Sequence, residues 1–147
     1  MTDSSSQTGP YLLLDTHTLV WSVEDSPRLG VEAKQEINQA AEEERLAISA
    51  ISPWEIALLV SKGRLKLNAD VMEWLRNALG KPGVTLVPLE PEIAVASTRL
   101  PWVMHADRAD RILVATARYL GVTLVTADGT LLKMARNGHF AAMDATV

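Results

Sequence analysis

The sequence contains no cysteine among its 147 residues, which excludes structural disulfides and thiolate metal sites. This absence is compatible with a reducing cytoplasm, where we expect the protein to reside. No apolar run approaches the roughly 20 residues that a transmembrane helix requires, so we expect no association with a membrane. Residues 1–9 are polar and lack an apolar core, which predicts a flexible N-terminal tail rather than a signal peptide.

An excess of positive charge is also missing. The formal net charge is −4 and the pI is near 5.3, which argues against a protein that binds nucleic acid over its whole surface. The net charge does not exclude a basic patch on part of the surface. The length and the ordinary proportions of hydrophobic (48%) and charged (22%) residues predict one globular domain, over residues 10–147. We find no internal repeat and no domain linker.

Short apolar segments alternate with longer amphipathic ones along this domain. Strands are predicted at residues 11–14, 46–49, 84–87, 122–125 and 140–143, the last at an edge of the sheet. Helical patterns lie between them. This alternation predicts an α/β fold, a three-layer α/β/α domain with a mainly parallel central sheet.

The stretch HADRADRILVATARYLGVTLVTAD, residues 105–128, organises the domain. Asp107 can cap a helix, and Asp110 lies one turn further along the same face. Gly121 suits the end of that helix, and Asp128 follows the next strand. Because a helix that follows a parallel strand begins at the carboxyl edge of the sheet, we expect these three carboxyls to converge.

Two further acids are predicted at the same edge. Asp15 follows the first strand, and either Asp15 or Thr16 can cap the next helix. Glu55 lies in SPWE, residues 52–55, which reads as a capping box with Ser52 at the cap. Taken singly, each acid is better explained by capping or by a solvated surface. Their shared position is the argument for function.

Clustered carboxylates repel one another unless a cation compensates, and oxygen ligands without cysteine favour Mg²⁺ or Mn²⁺ over zinc. We predict metal-assisted hydrolysis of a nucleic-acid phosphodiester. Asp15 and Asp110 would be the principal ligands, Glu55 and Asp128 direct or water-mediated ones, and Asp107 an additional candidate. Thr126 would orient a water or a ligand, although a lone threonine in a strand is more often only a β-former.

Basic and aromatic residues allow two interpretations each. Arg108 and Arg111 would bind phosphates of the substrate, or would only neutralise the acidic cluster. The turn with Lys62, Arg64 and Lys66 is interpreted as a solvated surface. The tryptophans are expected first in the core or at an interface, although Trp102, in the loop before the acidic helix, could instead stack a base. The histidines near the edge are expected to be structural. These residues are Trp21, Trp54, Trp74, Trp102, His17 and His105.

The chain resembles the PIN-domain ribonucleases, in particular the VapC-like toxins of type II toxin–antitoxin systems. The matching segments are YLLLDTHTLVW, ISPWEIALLVSKGRL, HADRADRILVATA and LVTAD, in the order of the family and over nearly the whole chain after the tail. At Arg108 and Ala109 the chain departs from this subgroup, where proline and an aromatic residue are more common. Because this departure affects the helix start, either Asp107 or Asp110 is the nearer metal ligand, and we favour Asp110.

By this resemblance the metal-binding acidic quartet is Asp15, Glu55, Asp110 and Asp128, and Thr126 is the accompanying hydroxyl. The resemblance implies a Mg²⁺- or Mn²⁺-dependent endoribonuclease that acts on RNA. It also implies a homodimer and a cognate antitoxin that inserts a segment into the active-site groove.

Two other functions compete with this interpretation. The first is a non-catalytic α/β binding module in which the acids are caps and surface charges. The second is a phospho-acceptor or phosphatase domain, since Asp15 follows a first strand. The triplet DTH lacks the second aspartate that a haloacid-dehalogenase-like motif carries, so this possibility ranks last.

Overall fold

The structure, a computed structural model, describes residues 10–104 and 107–147. Five strands form one parallel sheet: β1 (Leu12–Leu14), β2 (Leu46–Ser49), β3 (Val84–Val87), β4 (Thr123–Thr126) and β5 (Ala141–Asp144). The helices described are α1 (Thr16–Val23), α2 (Val31–Glu42), α3 (Ile51–Ser61), α4 (Val71–Leu79), α5 (Pro91–Ser97), α6 (Arg108–Leu120) and α7 (Gly129–Arg136). The predicted α/β class is confirmed.

The strand order is β3-β2-β1-β4-β5, so β1 is central and β5 is an edge strand, as predicted. The chain moves outward from β1 to β3 and then returns to the other side of β1 as β4. In open parallel sheets, ligands bind at such a reversal, in the crevice beyond the carboxyl ends of the strands. The topology therefore places a crevice next to the residues that follow β1 and β4.

Alternating side chains of the strands pack into two hydrophobic cores, one on each face of the sheet. Leu12 and Leu14 belong to the first core, together with buried residues of α1, α2 and α4. Leu13, between them, points to the second core, which α5, α6 and α7 complete. All three leucines are almost fully buried. This period-two alternation is what a strand covered by helices on both faces requires.

The ends of α6 follow the predicted chemistry. Asp107 is the N-cap, and its carboxylate accepts a hydrogen bond from the backbone N–H of Asp110. Gly121 ends the helix with φ of 67°, a left-handed conformation that glycine adopts without steric cost. Within the described residues, no helix is both long enough and apolar enough to span a bilayer.

Candidate active site

A cavity of about 290 Å³ opens at the carboxyl edge of the sheet, beside β1 and β4. It contains all five acids that the sequence proposed for this edge. The lining residues are Asp15, His17, Trp21, Glu55, Asp107, Asp110, Ala127 and Asp128. Because the acids come from segments spread over most of the chain, only the tertiary fold brings them together. We refer to this cavity as the acid pocket.

Asp15 is buried at the floor of the acid pocket, at the N-cap position of α1. Its side chain makes no capping hydrogen bond, so the predicted capping role is wrong. The carboxylate instead accepts a hydrogen bond of 2.6 Å from the hydroxyl of Thr126, 111 residues away in the chain. That hydroxyl also accepts a hydrogen bond of 3.1 Å from the backbone N–H of Asp128. Thr126 therefore fixes the orientation of Asp15 and links β4 to it.

Glu55 reaches the acid pocket from α3, but the predicted capping box is wrong. The helix begins at Ile51 with Ala50 as its N-cap, so Ser52 lies inside the first turn. The buried Ser52 hydroxyl lies 3.0 Å from the hydroxyl of Thr16, which also hydrogen-bonds to the Glu55 carboxylate. A buried hydroxyl needs a hydrogen-bond partner, and here a tertiary partner replaces the local backbone.

Asp107, Asp110 and Asp128 line the rest of the acid pocket. Asp107 is exposed and holds the Asp110 N–H at 2.8 Å, whereas the Asp110 side chain is partly buried. Asp128 caps α7 by accepting a hydrogen bond of 3.0 Å from the N–H of Leu131. One carboxylate oxygen of Asp107 and one of Asp128 are thus engaged by the helix backbone. Within residues 10–104 and 107–147, the Asp110 carboxylate caps no helix.

Burial and mutual repulsion raise the pKa of three of these carboxyls. The pKa of Asp110 is raised to about 7, first by desolvation and then by the negative charges of Asp107, Asp15, Asp128 and Glu55. Desolvation also raises the pKa of Asp15, although the Thr126 hydrogen bond and His17 oppose it.

Desolvation is likewise the largest cause that raises the pKa of Glu55, and Asp15 and Asp107 add to it. The hydrogen bond from Thr16 lowers the Glu55 pKa in the opposite direction. Acids held in this way favour a bound cation, because a positive charge relieves the repulsion and keeps them ionised.

The donor set of the acid pocket fits a hard divalent cation in its chemistry. All the candidate ligands are carboxylate oxygens, and the sequence has no thiol. Over residues 10–104 and 107–147, no three acidic, histidine or cysteine side chains are close enough to surround one ion as they stand. Mg²⁺ keeps several water ligands and commonly takes only one or two carboxylates, so a complete protein cage is not needed.

The predicted phosphate-binding arginines lie in different surroundings. Arg108 is exposed at the start of α6 and lines a second groove next to the acid pocket. The Arg111 guanidinium donates a hydrogen bond of 2.7 Å to the backbone carbonyl of Met104 and does not line the acid pocket. This contact ties α6 to the preceding loop. His105 lies outside the described residues.

The hydroxyl pair of Thr16 and Ser52, which joins α1 to α3 beside Asp15 and Glu55, was not predicted from the sequence. His17 was predicted to have only a structural role, although His17 and Trp21 line the acid pocket. For His17 and Trp21 the one signal in the sequence was their spacing, because residues four apart on a helix share a face. No local pattern indicated the hydroxyl pair.

A family model described as "PIN domain" matches residues 12–137. The chain belongs to the PIN domain family. This PIN domain is 37% identical over 120 residues to "Ribonuclease VapC22" of Mycobacterium tuberculosis, which covers 82% of this chain and 88% of the relative. The acid pocket is thus formed by the segments within the family match.

Solved structures of similar fold include VapBC2 from Rickettsia felis bound to a promoter DNA fragment. It has a TM-score of 0.66 and 18% identity, over 91% of this chain and 98% of that one. DNA-bound VapBC from Salmonella typhimurium has a TM-score of 0.60 and 17% identity, over 92% and 98%. At these identities the likeness concerns the fold, and it agrees with the five-stranded parallel sheet and the helical layers described above.

Proposed function

We propose that this PIN domain is a Mg²⁺- or Mn²⁺-dependent endoribonuclease and the toxin of a toxin–antitoxin pair. The observation that carries the proposal is the acid pocket, in which five carboxyls meet and the pKa of Asp110 is raised to about 7. The 37% identity to a protein named as a ribonuclease supports RNA as the substrate.

In this proposal Asp15 and Asp110 are the principal metal ligands, and Glu55 and Asp128 act directly or through water. A bound divalent cation supplies polarisation of a phosphoryl oxygen and a lower pKa for water. Thr126 holds the Asp15 carboxylate in one orientation by its hydrogen bond of 2.6 Å. No side chain needs to form a covalent bond to the RNA.

Three further residues near the acid pocket have supporting roles in this proposal. Asp107 is an additional ligand candidate, with one oxygen already engaged by the backbone of α6. Arg108, exposed at the rim, is the cation best placed to hold a phosphate group. Arg111 acts by holding the loop that leads into α6, because its guanidinium is engaged by Met104. In this proposal one arginine binds a phosphate, the other holds a loop in place, and the acids bind the cation.

The partners proposed are a cognate antitoxin and a second copy of the chain in a homodimer. The solved structures of similar fold were determined as VapBC complexes, which supports the antitoxin. The alternative remains a non-catalytic binding module with a degenerate acidic site. Calorimetric titration with Mn²⁺ separates the two, because stoichiometric binding that Asp15→Asn weakens is expected only for a cation site.

The decisive experiment incubates the purified protein with total RNA, with and without Mg²⁺, and maps the new RNA ends. We expect cleavage that EDTA stops and that Asp15→Asn and Asp110→Asn abolish while the circular dichroism spectrum stays unchanged. Full activity of either variant, or of chelated wild type, contradicts the metal mechanism. Growth arrest on expression, relieved by co-expression of the adjacent gene, tests the toxin role.

A further inference from the structure

A groove of about 520 Å³ continues from the acid pocket along α3. The two cavities share Glu55 and Asp107 in their walls, so they are adjoining parts of one surface. The groove runs between α3 and the start of α6, which are in contact. Its remaining lining is Trp54, Leu58, Leu59, Lys62, Arg64, Arg108 and Ala109. We refer to it as the α3 groove.

Trp54 is the large aromatic side chain of the α3 groove, and it is 51% exposed. Trp54 therefore lies outside the core, which leaves the predicted interface position, whereas Trp74 is 3% exposed and belongs to the core. Trp54 lines the α3 groove together with Glu55, which the groove shares with the acid pocket. A helix that is apolar all round is normally buried, but only Ser52 and Ile56 of α3 are buried. The other apolar side chains of α3 are therefore at least partly exposed.

The far end of the α3 groove is basic. Lys62 and Arg64 flank Gly63, which has φ of 69° and closes the C-terminus of α3. The N–H of Gly63 donates to the carbonyl of Val60 and that of Arg64 to Leu59, the two hydrogen bonds of a Schellman motif. The backbone that carries both cations is therefore fixed. Lys62 lies two helical turns beyond Glu55, about 10 Å at 1.5 Å per residue.

We propose that the α3 groove is an RNA subsite, in which Trp54 stacks on a base next to the cleaved bond and Lys62 and Arg64 bind phosphates further along the strand. The inference rests on the proposed ribonuclease function. Stacking on an aromatic ring tolerates any base but requires that base to be unpaired. The subsite therefore selects single-stranded RNA and places the scissile phosphate at the acid pocket.

Charge favours RNA over a protein segment as the occupant. Three cations and the two shared acids line the α3 groove, so cations are in excess there, although the chain as a whole has a net charge of −4. Among the described residues, none of Lys62, Arg64 and Arg108 forms a salt bridge, so their charges remain available to an external anion. Basic side chains that neutralise phosphates supply much of the affinity for a nucleic-acid strand. An apolar peptide would need only the leucines and Trp54.

The first test measures cleavage kinetics on a single-stranded RNA that contains a site mapped with the wild type. Trp54→Ala is expected to raise KM about 5- to 150-fold with little change in kcat, the range that corresponds to loss of one stacked base. Trp54→Phe keeps an aromatic face and is expected to recover most of the loss. Tyr119→Ala is the matched control, since Tyr119 is 53% exposed and lies outside the groove.

An abasic scan of the same RNA locates the stacked base. At one position next to the cleaved bond, removal of the base is expected to weaken the wild type and to leave Trp54→Ala unaffected, since coupled partners do not add. A uniform effect of Trp54→Ala at every abasic position contradicts stacking. The same RNA presented as a duplex is expected to be a poor substrate for both proteins.

The cations are tested by the salt dependence of RNA binding, measured by fluorescence anisotropy in the non-cleaving Asp15→Asn background. Each phosphate contact on a single strand contributes about 0.7 to the slope of log K against log salt. The double variant Lys62→Ala, Arg64→Ala is expected to lower this slope by about 1.4. Lys66→Ala is the control, because Lys66 belongs to the same turn but does not line the α3 groove.

The outcomes separate this inference from the proposed function. Wild-type cleavage with an unchanged KM in Trp54→Ala overturns the subsite and leaves the ribonuclease intact. If RNA binding depends on Trp54 but no RNA is cleaved, the proposed ribonuclease function is wrong and the α3 groove is still an RNA-binding site. If Trp54→Ala escapes neutralisation by the antitoxin but keeps its KM for RNA, the occupant is a protein and the inference is wrong.

Discussion

Replacing Asp110 by asparagine is expected to stabilise the metal-free protein while it abolishes activity. The pKa of Asp110 is raised to about 7 in the folded chain from an ordinary value of 3.8. The folded state therefore binds this proton more tightly than the unfolded state, so the stability it contributes is present below pH 4 and is lost as the pH rises through 7. At pH 8 the ionised carboxyl opposes folding.

The magnitude follows from the size of the shift. About three pKa units correspond to an upper bound of about 4 kcal/mol, at 1.36 kcal/mol per unit. The Asp110 side chain is only partly buried, so solvent screening reduces this value to about 1–2 kcal/mol. For a domain of this size, the melting temperature of Asp110→Asn should exceed that of the wild type by about 2–8 °C at pH 8.

Urea denaturation in EDTA at pH 4 and pH 8 measures the effect. We expect Asp110→Asn to be more stable at pH 8 and nearly equal to the wild type at pH 4, where both side chains are neutral. Glu36→Gln is the control, since Glu36 is exposed on α2 and lies near Tyr11 and Arg45 at the opposite edge of the sheet.

Adding Mg²⁺ at pH 8 should reverse the order of stability, because a cation that binds only the folded wild type stabilises it by mass action. If Asp110→Asn is no more stable than the wild type at pH 8 in EDTA, the carboxyls of the acid pocket do not repel one another as described. Equal stabilisation of both proteins by Mg²⁺ would remove Asp110 from the ligand set.

Three further outcomes are expected. Thr126→Val should lower the free energy of unfolding by about 1–3 kcal/mol and reduce activity, because Asp15 loses its hydroxyl donor, whereas Thr126→Ser should retain both; urea melts and RNA cleavage measure this. Gly83→Ala should destabilise the protein by more than about 2 kcal/mol, because two costs add. Alanine is strained in the left-handed conformation, and a Cβ at this position would clash with the carbonyl oxygen of Ala41 at 1.8 Å. Gly121→Ala has a similar positive φ but open space, so thermal melts should show a loss of only about 1–2 kcal/mol.

Much of the fold was predictable because its signals are local. The strands are short apolar runs between polar turns, and the start of α6 is specified by a side chain that bonds to a backbone three residues away. Such patterns depend only on residues that are neighbours in the chain, so the sequence shows them directly. The positions of the five acids relative to strand ends were predictable for the same reason.

The capping predictions at Asp15 and Ser52 were wrong because tertiary partners compete with local ones. A carboxylate or hydroxyl at a helix start has a ready local partner, but in the closed fold Asp15 meets Thr126 and Ser52 meets Thr16. These partners lie 111 and 36 residues away, and no local propensity encodes such a choice. The sequence left open whether Trp54 lies in the core or at an interface, since composition alone does not distinguish the faces of an apolar helix.

Local patterns in the sequence specified which segments form strands and helices along the chain and which carboxyl groups follow the strand ends. They did so because hydrophobic period and turn chemistry act over a few residues. Only the tertiary structure decided which oxygens meet, which of them are buried, and that an aromatic groove adjoins them. Those properties arise when the strand order reverses beside β1 and brings distant segments into one low-dielectric crevice, where burial and repulsion raise the pKa of Asp110.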